Sequence, residues 1–417
     1  MSFVYNICWQ ILFAGLRLLN FCGIIGKGSK LQRFIYGQRD IFKRIAIAKE
    51  KQCPKPVIWI HAASLGEYGV ARPIIKQIKA KGSYSIFLTF FSSTGVEALK
   101  DNHPEVDVVE YLPIDTRRNA RQFINTIKPA KAIFIISEFW PSYLDELKKQ
   151  NIQTYLISGL IKAQSAMFKW YGGMIRRSLS AFTRFMVLDE ASRKNLASIG
   201  LDNVTVVGDP LFDNAVVVAK SQYENKTVEA FSSHGDVFIA GSVSDKNDLA
   251  LVSQLANTHR DIRFLVVPHE ISEECLSEVK KHFEGKSIFY KDCDEHTDFS
   301  DIQILIIDFI GGLAYMYRYA KWAYVGGGFT PYLHSVIEAT VYGLPVAFGP
   351  KINRKITPQQ MIALGIGCKV ETFEELNKWF GNLKDNQAEL AVVKDKADAY
   401  IRQNTGVTDD VMSLMEI

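Results

Sequence analysis

The sequence predicts an α/β fold made of two domains, each built on a parallel sheet. The chain has 417 residues, whereas a single domain usually has about 100–200. Short β-branched and aromatic runs alternate with longer helical patterns, as in parallel sheets that are buried on both faces. A polar stretch over residues 214–235 interrupts this alternation. We therefore expect an N-terminal domain over residues 27–213 and a C-terminal domain over residues 214–417.

The composition is that of a globular protein in a reducing compartment. Hydrophobic residues make up 47% and charged residues 23% of the chain, which excludes intrinsic disorder. The net charge of +4 provides no uniform basic field for nucleic acid. The six cysteines lie far apart, without CxxC pairs or histidines at metal spacing. The sequence therefore predicts neither a zinc site nor a disulfide framework.

The first predicted element is an apolar helix over residues 1–26, followed by a basic segment. Arg17 is the only charged residue from Ser2 to Gly26, and the polar side chains share one narrow stripe of a helix: Asn6, Gln10, Arg17 and Asn20. Nine Lys or Arg against two acidic residues follow over residues 27–55. This order favours a membrane anchor that spans a bilayer or lies on its anionic surface. The alternative is a helix that packs in the core of the protein itself. A signal peptide is disfavoured, because no basic region precedes the apolar stretch and no small-residue cleavage site follows it.

Twelve apolar runs predict the strands of the two sheets. Seven lie in the first half, over residues 57–63, 85–91, 106–113, 132–137, 154–160, 185–189 and 204–209. Five lie in the second half, over residues 236–242, 263–269, 303–309, 322–328 and 344–350. In open parallel sheets, ligands bind beyond the carboxyl ends of the strands. The residues that follow each run are therefore the functional candidates, and two sheets that face each other would form a cleft.

Two of these runs are followed by a glutamate. Glu67 lies in SLGEYG, directly after the first run, where a carboxylate at the start of a helix can serve as a general base. The alternative is a capping box, in which Ser64 and Glu67 satisfy the first backbone N–H groups of the helix. Glu138 follows the fourth run in ISEFWPSYL, and it is either a second functional carboxylate or a helix cap.

The most specific motif runs from Tyr324 to Pro350. A strand ends in three glycines, a helix that bears His334, Ser335 and Glu338 follows, and a second strand ends in Gly-Pro. Backbone N–H groups at a helix start bind phosphate, and a carboxylate can accept hydrogen bonds from ribose hydroxyls. The pattern favours a nucleotide or sugar-nucleotide site over a purely structural glycine turn. Three cations can add positive charge there: Lys351, Arg354 and Lys355.

Together these segments resemble the bacterial Kdo transferases, which move 3-deoxy-D-manno-octulosonic acid (Kdo) from CMP-Kdo to a lipid A precursor. The resemblance covers nearly the whole chain. Its motifs are KLQRFIYGQR, IHAASLGE, YLPID, SEFWP, VVGDPLFD, AGSVSDKND, VVPHEI, IIDFIGGL and VGGGF…LHSVIEA…GLPVAFGP.

The resemblance implies the GT-B glycosyltransferase fold, with two facing Rossmann-like domains and a membrane-associating N-terminal helix. It implies an inverting transfer of Kdo to lipid IVA in lipopolysaccharide core biosynthesis, without metal or cofactor. The implied partners are CMP-Kdo, the lipid A precursor and anionic membrane lipids, with no nucleic acid. The implied location is the cytoplasmic face of the inner membrane.

The resemblance also implies roles for individual residues. Glu67 corresponds to the base that deprotonates the acceptor hydroxyl, and Glu138 to the acidic residue that supports the transition state. The implied CMP contacts are Pro268, His269, Glu270, Gly311, Gly312, Leu313, Ser335, Val336, Ile337 and Glu338.

Four positions depart from the family pattern. Leu211 replaces a Lys or Arg that is expected to steady the leaving phosphate, and Arg354 is a candidate substitute. The other three departures are Ile136, Gly312 and Ser335. Two alternatives follow from these departures: a GT-B transferase that uses another nucleotide sugar, and a membrane-anchored paralogue without catalytic activity.

Overall fold

The computed structural model describes residues 2–51, 54–99, 104–243, 245–283, 287–352 and 355–417. It divides into two compact units. The first unit comprises Met1–Asn214 and Gly406–Ile417, and the second comprises Ala215–Thr405. The predicted boundary near residue 214 coincides with this division. Residues 406–417, which the sequence prediction placed in the C-terminal domain, belong instead with the first unit.

The first unit is built on a seven-stranded parallel sheet. Its strands are β1 (Val57–His61), β2 (Ser85–Phe90), β3 (Val108–Tyr111), β4 (Pro129–Ile135), β5 (Gln153–Gly159), β6 (Arg184–Val187) and β7 (Val204–Val206). Their order across the sheet is β3-β2-β1-β4-β5-β6-β7. The order reverses between β1 and β4, so the switch point of the sheet, where such folds bind ligands, lies between these two strands.

Helices cover this sheet because its strands are apolar on both faces; all five residues of β1 are buried. The helices of this part of the chain are α1 (Ser2–Phe21), α2 (Lys30–Gly37), α3 (Ile41–Lys51), α4 (Leu65–Lys81), α5 (Ser93–Leu99), α6 (Arg117–Ile127), α7 (Pro141–Lys149), α8 (Gly173–Leu179) and α9 (Glu190–Ala197). Helix α10 (Leu211–Lys220) runs across the boundary between the units.

The second unit repeats this architecture. Its strands are β8 (Val237–Val243), β9 (Arg263–Pro268), β10 (Ser287–Phe289), β11 (Ile304–Ile306), β12 (Trp322–Val325), β13 (Val346–Phe348) and β14 (Gly367–Lys369). Their order is β10-β11-β9-β8-β12-β13-β14, again parallel, with the switch point between β8 and β12. The sequence prediction missed β10 and β14, whose residues SIF and GCK form no continuous run of β-branched or aromatic side chains.

The remaining helices are α11 (Lys226–Ser232), α12 (Lys246–Thr258), α13 (Glu273–His282), α14 (Leu313–Met316), α15 (Ile337–Thr340), α16 (Ile356–Leu364), α17 (Phe373–Lys384), α18 (Gln387–Asn404) and α19 (Val407–Leu414). Helix α19 belongs to the first unit and the others to the second. The described residues also include three short 3₁₀ helices, at Ala166–Phe168, Tyr290–Asp292 and Tyr317–Tyr319.

Helix α1 packs on the first unit through polar and aromatic side chains. The Tyr5 hydroxyl donates to Asp115 Oδ2 at 2.7 Å, and Asn6 Oδ1 accepts from the Arg117 backbone N–H at 2.7 Å. Phe13 is buried in the core of the unit. The helix therefore turns part of its polar stripe toward the protein.

The opposite face of α1 and the turn after it are apolar and exposed. The exposed side chains include Val4, Ile7, Ile11, Leu12, Leu18, Leu19, Phe21 and Ile24. Within the described part of the chain, no helix combines the length and the apolar character that crossing a bilayer requires.

The segment 406–417 is fastened to the first unit by one carboxylate. Asp213 accepts hydrogen bonds from the backbone N–H groups of Gly406 and Thr408, both at 2.7 Å, and from the Thr408 hydroxyl at 2.6 Å. Farther along, Lys131 donates to the Met415 carbonyl at 2.7 Å. These contacts explain why the segment belongs to the first unit although it follows the second in sequence.

Candidate functional site

The loops at the switch point of the first sheet carry both predicted glutamates. Strand β1 ends at His61 and is followed by α4, in whose first turn Glu67 lies. Strand β4 ends at Ile135, and Glu138 lies between it and α7. Because β1 and β4 are parallel neighbours, their carboxyl ends meet at the same edge of the sheet.

Glu67 combines a capping contact with a strongly perturbed carboxyl group. Its side chain accepts a hydrogen bond from the Ala63 backbone N–H, and its own N–H donates to Ser64 Oγ at 3.5 Å. The capping interpretation from sequence therefore applies. Burial, and then the negative charge of Glu138, raise the pKa of Glu67 to about 7 against the opposing backbone hydrogen bonds. A carboxylate with this pKa is suited to general-base catalysis near neutral pH.

Glu138 lies among aromatic side chains. Trp140 Nε1 donates to Glu138 Oε2 at 2.8 Å, and His61 Nε2 lies 3.6 Å from the same oxygen. Trp140 in turn contacts Trp9 of α1 and Phe91, with ring centroids 6.2 and 5.1 Å apart. The apolar helix α1 therefore packs against the aromatic wall of this carboxylate.

The switch point of the second sheet carries glycines instead of carboxylates. The loop after β12 contains Gly326, Gly327 and Gly328. Gly327 has a φ of +85°, which a glycine adopts without strain. A Cβ on Gly328 would lie 2.5 Å from the Gly349 nitrogen, so the loops after β12 and β13 pass too closely for a side chain. This close approach leaves the backbone of the loop uncovered by side chains of its own.

Asp248 holds this glycine loop in place. It is a fully buried residue of α12 that accepts from the Tyr324 hydroxyl at 2.6 Å and from the Gly327 N–H at 2.8 Å. Burial raises the pKa of Asp248 to about 6 against these two hydrogen bonds. Sequence reasoning did not single out Asp248, although it ends the motif AGSVSDKND, because its role depends on a partner 79 residues away.

The histidines predicted near the nucleotide lie beside each other. His269 follows β9, and the centroid of its ring lies 4.2 Å from that of His334. The backbone N–H of His334 donates to the Gly326 carbonyl at 3.1 Å. Burial, and then His269 and Lys355, lower the pKa of His334 to about 4. His334 is therefore a neutral ring at physiological pH, and Lys355 supplies the positive charge nearby.

The predicted helix of this motif is shorter than expected. Helix α15 has four residues and Val336 is its N-cap, so His334 and Ser335 precede it. The helical hydrogen bonds of α15 therefore begin only after the loop that packs against the glycines at 326–328. Glu338 lies within α15, and burial raises the pKa of its carboxyl group to about 7.

The other residues that the sequence predicts to contact CMP lie near strand ends of the same sheet. Pro268 ends β9 and is followed by His269 and Glu270. Gly312 is the N-cap of α14, which begins at Leu313 after β11. The remaining predicted contacts are Gly311, Ser335, Val336, Ile337 and Glu338, which lie in the loops after β11 and β12 or in α15.

The departures from the family pattern have distinct surroundings. Leu211 starts α10 and packs toward α4, where a Cβ on Gly69 would lie 3.6 Å from it. An apolar side chain therefore occupies the expected place of a cation. Ile136 has a φ of +66° between β4 and Glu138. Arg354, the candidate substitute cation, lies outside the described residues.

Comparisons with known proteins agree with the motifs. A family model described as 3-Deoxy-D-manno-octulosonic-acid transferase (kdotransferase) matches residues 39–214. A 3-deoxy-D-manno-octulosonic acid transferase from Rickettsia bellii is 23% identical over 402 residues, covering 92% of this chain and 94% of the relative. One from Aquifex aeolicus is 25% identical over 346 residues, covering 81% and 89%. These matches confirm the predicted resemblance to the Kdo transferase family of glycosyltransferases.

The fold itself recurs in solved structures of low sequence identity. The UDP-GlcNAc 2-epimerase from Neisseria meningitidis has a TM-score of 0.62 at 14% identity, covering 87% of this chain and 100% of that one. Together with the two seven-stranded parallel sheets, this likeness shows the GT-B α/β fold that the sequence predicts.

Proposed function

We propose that this relative of the Kdo transferases transfers Kdo from CMP-Kdo to a lipid A precursor, lipid IVA, in lipopolysaccharide core biosynthesis. The observation that carries the proposal is the pair Glu67 and Glu138 at the switch point of the first sheet, with a raised pKa on Glu67. In this proposal the first unit binds the acceptor and supplies the base, and the second unit binds the donor nucleotide.

The proposed reaction is a single displacement with inversion. Glu67 takes the proton of the acceptor hydroxyl, the acceptor oxygen forms a bond to the anomeric carbon of Kdo, and the bond from that carbon to the phosphate of CMP breaks. The transition state has oxocarbenium character, and the negative charge of Glu138 stabilises the developing positive charge. The pKa of Glu67 suits this task because it leaves the carboxyl group both ionised and basic near neutral pH.

The second unit offers groups that suit a nucleotide monophosphate. The loop after β12 presents backbone between Gly326 and Gly328, and Glu338 can accept hydrogen bonds from ribose hydroxyls. Lys355 lies close enough to lower the pKa of His334, so a positive charge acts in the region of that ring. CMP leaves with one phosphate, which these groups can stabilise without a divalent ion.

The decisive experiment incubates the purified protein with CMP-Kdo and tetraacylated lipid IVA and measures the Kdo-bearing lipid by mass spectrometry. We expect product at a rate well above that of a Glu67→Gln control. A correctly folded protein that forms no product would support a paralogue without catalytic activity, the alternative that Leu211 motivates.

The donor assignment has its own test. Isothermal titration calorimetry with CMP, UDP and GDP compares one nucleotide monophosphate with two diphosphates. We expect CMP to bind most tightly, because the proposed site relies on a few cations and backbone groups rather than on a metal. Tighter binding of UDP or GDP would indicate a transferase that uses another nucleotide sugar.

We also propose that α1 holds the protein on the cytoplasmic face of the inner membrane. The exposed face of α1 is apolar, and the segment 27–55 that follows is basic, which together suit an anionic lipid surface. The double substitution Ile11→Glu and Leu18→Glu on this exposed face should release the protein from liposomes of anionic phospholipid more completely than high salt does. Full release of the parental protein by salt alone would contradict an apolar attachment.

A further inference from the structure

His61 is a buried polar residue at the catalytic edge of the first sheet that the proposed mechanism does not use. It ends β1 and has no exposed surface. Its Nδ1 lies 2.9 Å from the Thr89 hydroxyl, and its ring stands edge-on to Trp140, with centroids 5.9 Å apart. Thr89 is its register partner on β2. The ring is therefore fixed by neighbouring strands rather than by a loop.

The contacts of Thr89 allow two positions for the hydrogen on the His61 ring. Trp59 Nε1, which can only donate, lies 2.9 Å from Thr89 Oγ1, so the hydroxyl accepts there. The hydroxyl hydrogen points either to His61 Nδ1 at 2.9 Å, which then accepts, or to the Ile60 carbonyl at 3.4 Å, in which case Nδ1–H donates to the second lone pair of Oγ1. The shorter contact favours the first arrangement, in which Nε2 carries a hydrogen.

Nε2 lies beside the second glutamate of the site. Among the described residues it has no hydrogen-bond partner, and Glu138 Oε2 is 3.6 Å away. A lone pair on Nε2 would face the carboxylate unfavourably, whereas an N–H there is attracted to it. The distance is longer than a hydrogen bond, but catalytic hydrogen bonds commonly shorten only when substrate binds.

Two ring N–H groups, one from the half-buried Trp140 and one from the buried His61, thus converge on one oxygen of Glu138. Trp140 Nε1 donates to Oε2 at 2.8 Å, and His61 Nε2 approaches the same atom. Within the described chain, the other oxygen, Oε1, accepts no hydrogen bond. A carboxylate held through one oxygen keeps the second free for the reacting centre.

We infer that His61 is a positioning residue, whose Nε2–H, favoured by the Thr89 contact and by the adjacent carboxylate, holds Glu138 through Oε2 and leaves Oε1 for the oxocarbenium-like transition state. The inference rests on the proposed function for its effect on transfer. It does not rest on that function for the position of the hydrogen on His61.

Three substitutions separate this role from simple packing. His61→Leu keeps the volume but removes both nitrogens, His61→Asn keeps a polar group near Thr89 only, and His61→Gln can place an N–H near the position of Nε2. We expect kcat to fall about 10- to 100-fold for Leu and Asn with little change in KM, and to be largely retained for Gln. An H61Q protein that loses as much as H61L overturns the inference.

A double-mutant cycle tests whether His61 acts through Glu138. In a Glu138→Ala background, H61L should reduce kcat by less than about twofold, because the group it positions is gone. A full and independent loss in that background contradicts the inference. His259→Leu is the matched control. The His259 ring is hydrogen-bonded to Asn377 in the second unit, so removal of the ring should lower thermal stability without changing kcat.

The hydrogen position is measurable without any activity. Nitrogen NMR of the full-length parental protein labelled at histidine, with H61Q used to assign the signal, should show a proton on Nε2 of His61. A neutral ring with its proton on Nδ1 overturns the inference even in an active enzyme. A protein that fails to transfer Kdo yet shows the Nε2–H sinks the proposed function instead.

Discussion

The two seven-stranded parallel sheets each reverse their strand order beside their first strand, but the chemistry at the two switch points differs. In the first unit, two carboxylates and an indole follow β1 and β4, beside the buried imidazole that ends β1. In the second, the loop after β12 carries three glycines, held by the buried carboxylate of Asp248. One architecture, a parallel sheet with a switch point, therefore provides two kinds of site: perturbed side chains suited to proton transfer, and backbone without side chains that suits the close approach of a ligand.

The comparison also shows how each unit fixes its functional loop. The first unit fixes Glu138 and His61 against the Trp140 ring, and burial of Glu67 nearby raises the pKa of that carboxyl group. The second positions backbone, and it leaves no room for a Cβ at Gly328. Substitutions should therefore fail differently in the two units, through chemistry in the first and through packing in the second.

The largest effect should come from the base. Glu67→Gln keeps the size and the capping contact of the side chain but removes the proton acceptor, so we expect kcat to fall about 10²–10⁴-fold. Calorimetric affinity for CMP should remain unchanged, because the substitution lies in the first unit. A folded E67Q protein that transfers Kdo at the parental rate would remove Glu67 from the mechanism.

The glycine loop should show the opposite behaviour. Gly328→Ala places a Cβ 2.5 Å from the Gly349 nitrogen, so we expect a loss of about 1–3 kcal/mol in the free energy of unfolding and weaker CMP binding. Gly66→Ala is the matched control in the first unit, because the nearest atom to its Cβ would be Ser64 Oγ at 3.7 Å. Denaturant unfolding and calorimetry measure both; equal stability of the two variants would contradict the packing argument.

Glu338 should make the stability of the second unit depend on pH. Its folded-state pKa is raised to about 7 from the ordinary value of 4.5, so the folded state holds the proton more tightly than the unfolded chain does. The resulting stabilisation is complete below about pH 4.5 and is lost as pH rises through about 7. At pH 8, Glu338→Gln should therefore raise the free energy of unfolding by roughly 1–3 kcal/mol.

Thermal unfolding of both proteins at pH 5 and pH 8 measures this linkage. The advantage of E338Q should shrink at the lower pH, where the parental carboxyl group is already protonated. An advantage of the same size at both pH values would show that the substitution acts through packing instead of charge.

The smallest effect should be a shift of the pH profile. The negative charge of Glu138 is the second cause of the raised pKa of Glu67, after burial. In Glu138→Gln the rise of kcat/KM with pH should therefore move to lower pH by about 1 unit, while staying above the ordinary glutamate range. A profile of the residual activity measures it, and a shift to higher pH would show that the two carboxylates do not interact as described.

The strand positions could be predicted from sequence, because parallel strands that are buried on both faces have continuous runs of apolar residues. All twelve predicted runs overlap a strand, and most of them extend past the strand end into the following loop, as at residues 322–328, where β12 stops at Val325. The short edge strands β10 and β14 lacked such a run. The return of residues 406–417 to the first unit depends on Asp213, a contact across 193 residues that no local pattern reveals.

The candidate site was predicted where residues follow strand ends and missed where they act across strands. Glu67 and Glu138 stand directly after apolar runs, so position alone identified them. His61 and Thr89 are themselves strand residues, and from sequence they are indistinguishable from core. Their contact with the glutamate loops exists only once β1, β2 and β4 lie side by side.

The clamp between Asp213 and residues 406–408 has a consequence for synthesis of the chain. The first unit is not contiguous: its core includes Val411, Met412 and Met415, which the ribosome delivers only after the whole second unit. During translation the second unit can close on its own residues, while the first must wait with part of its core uncovered. The unit that carries Glu67 and Glu138, the proposed catalytic carboxylates, is therefore the unit that completes its fold last.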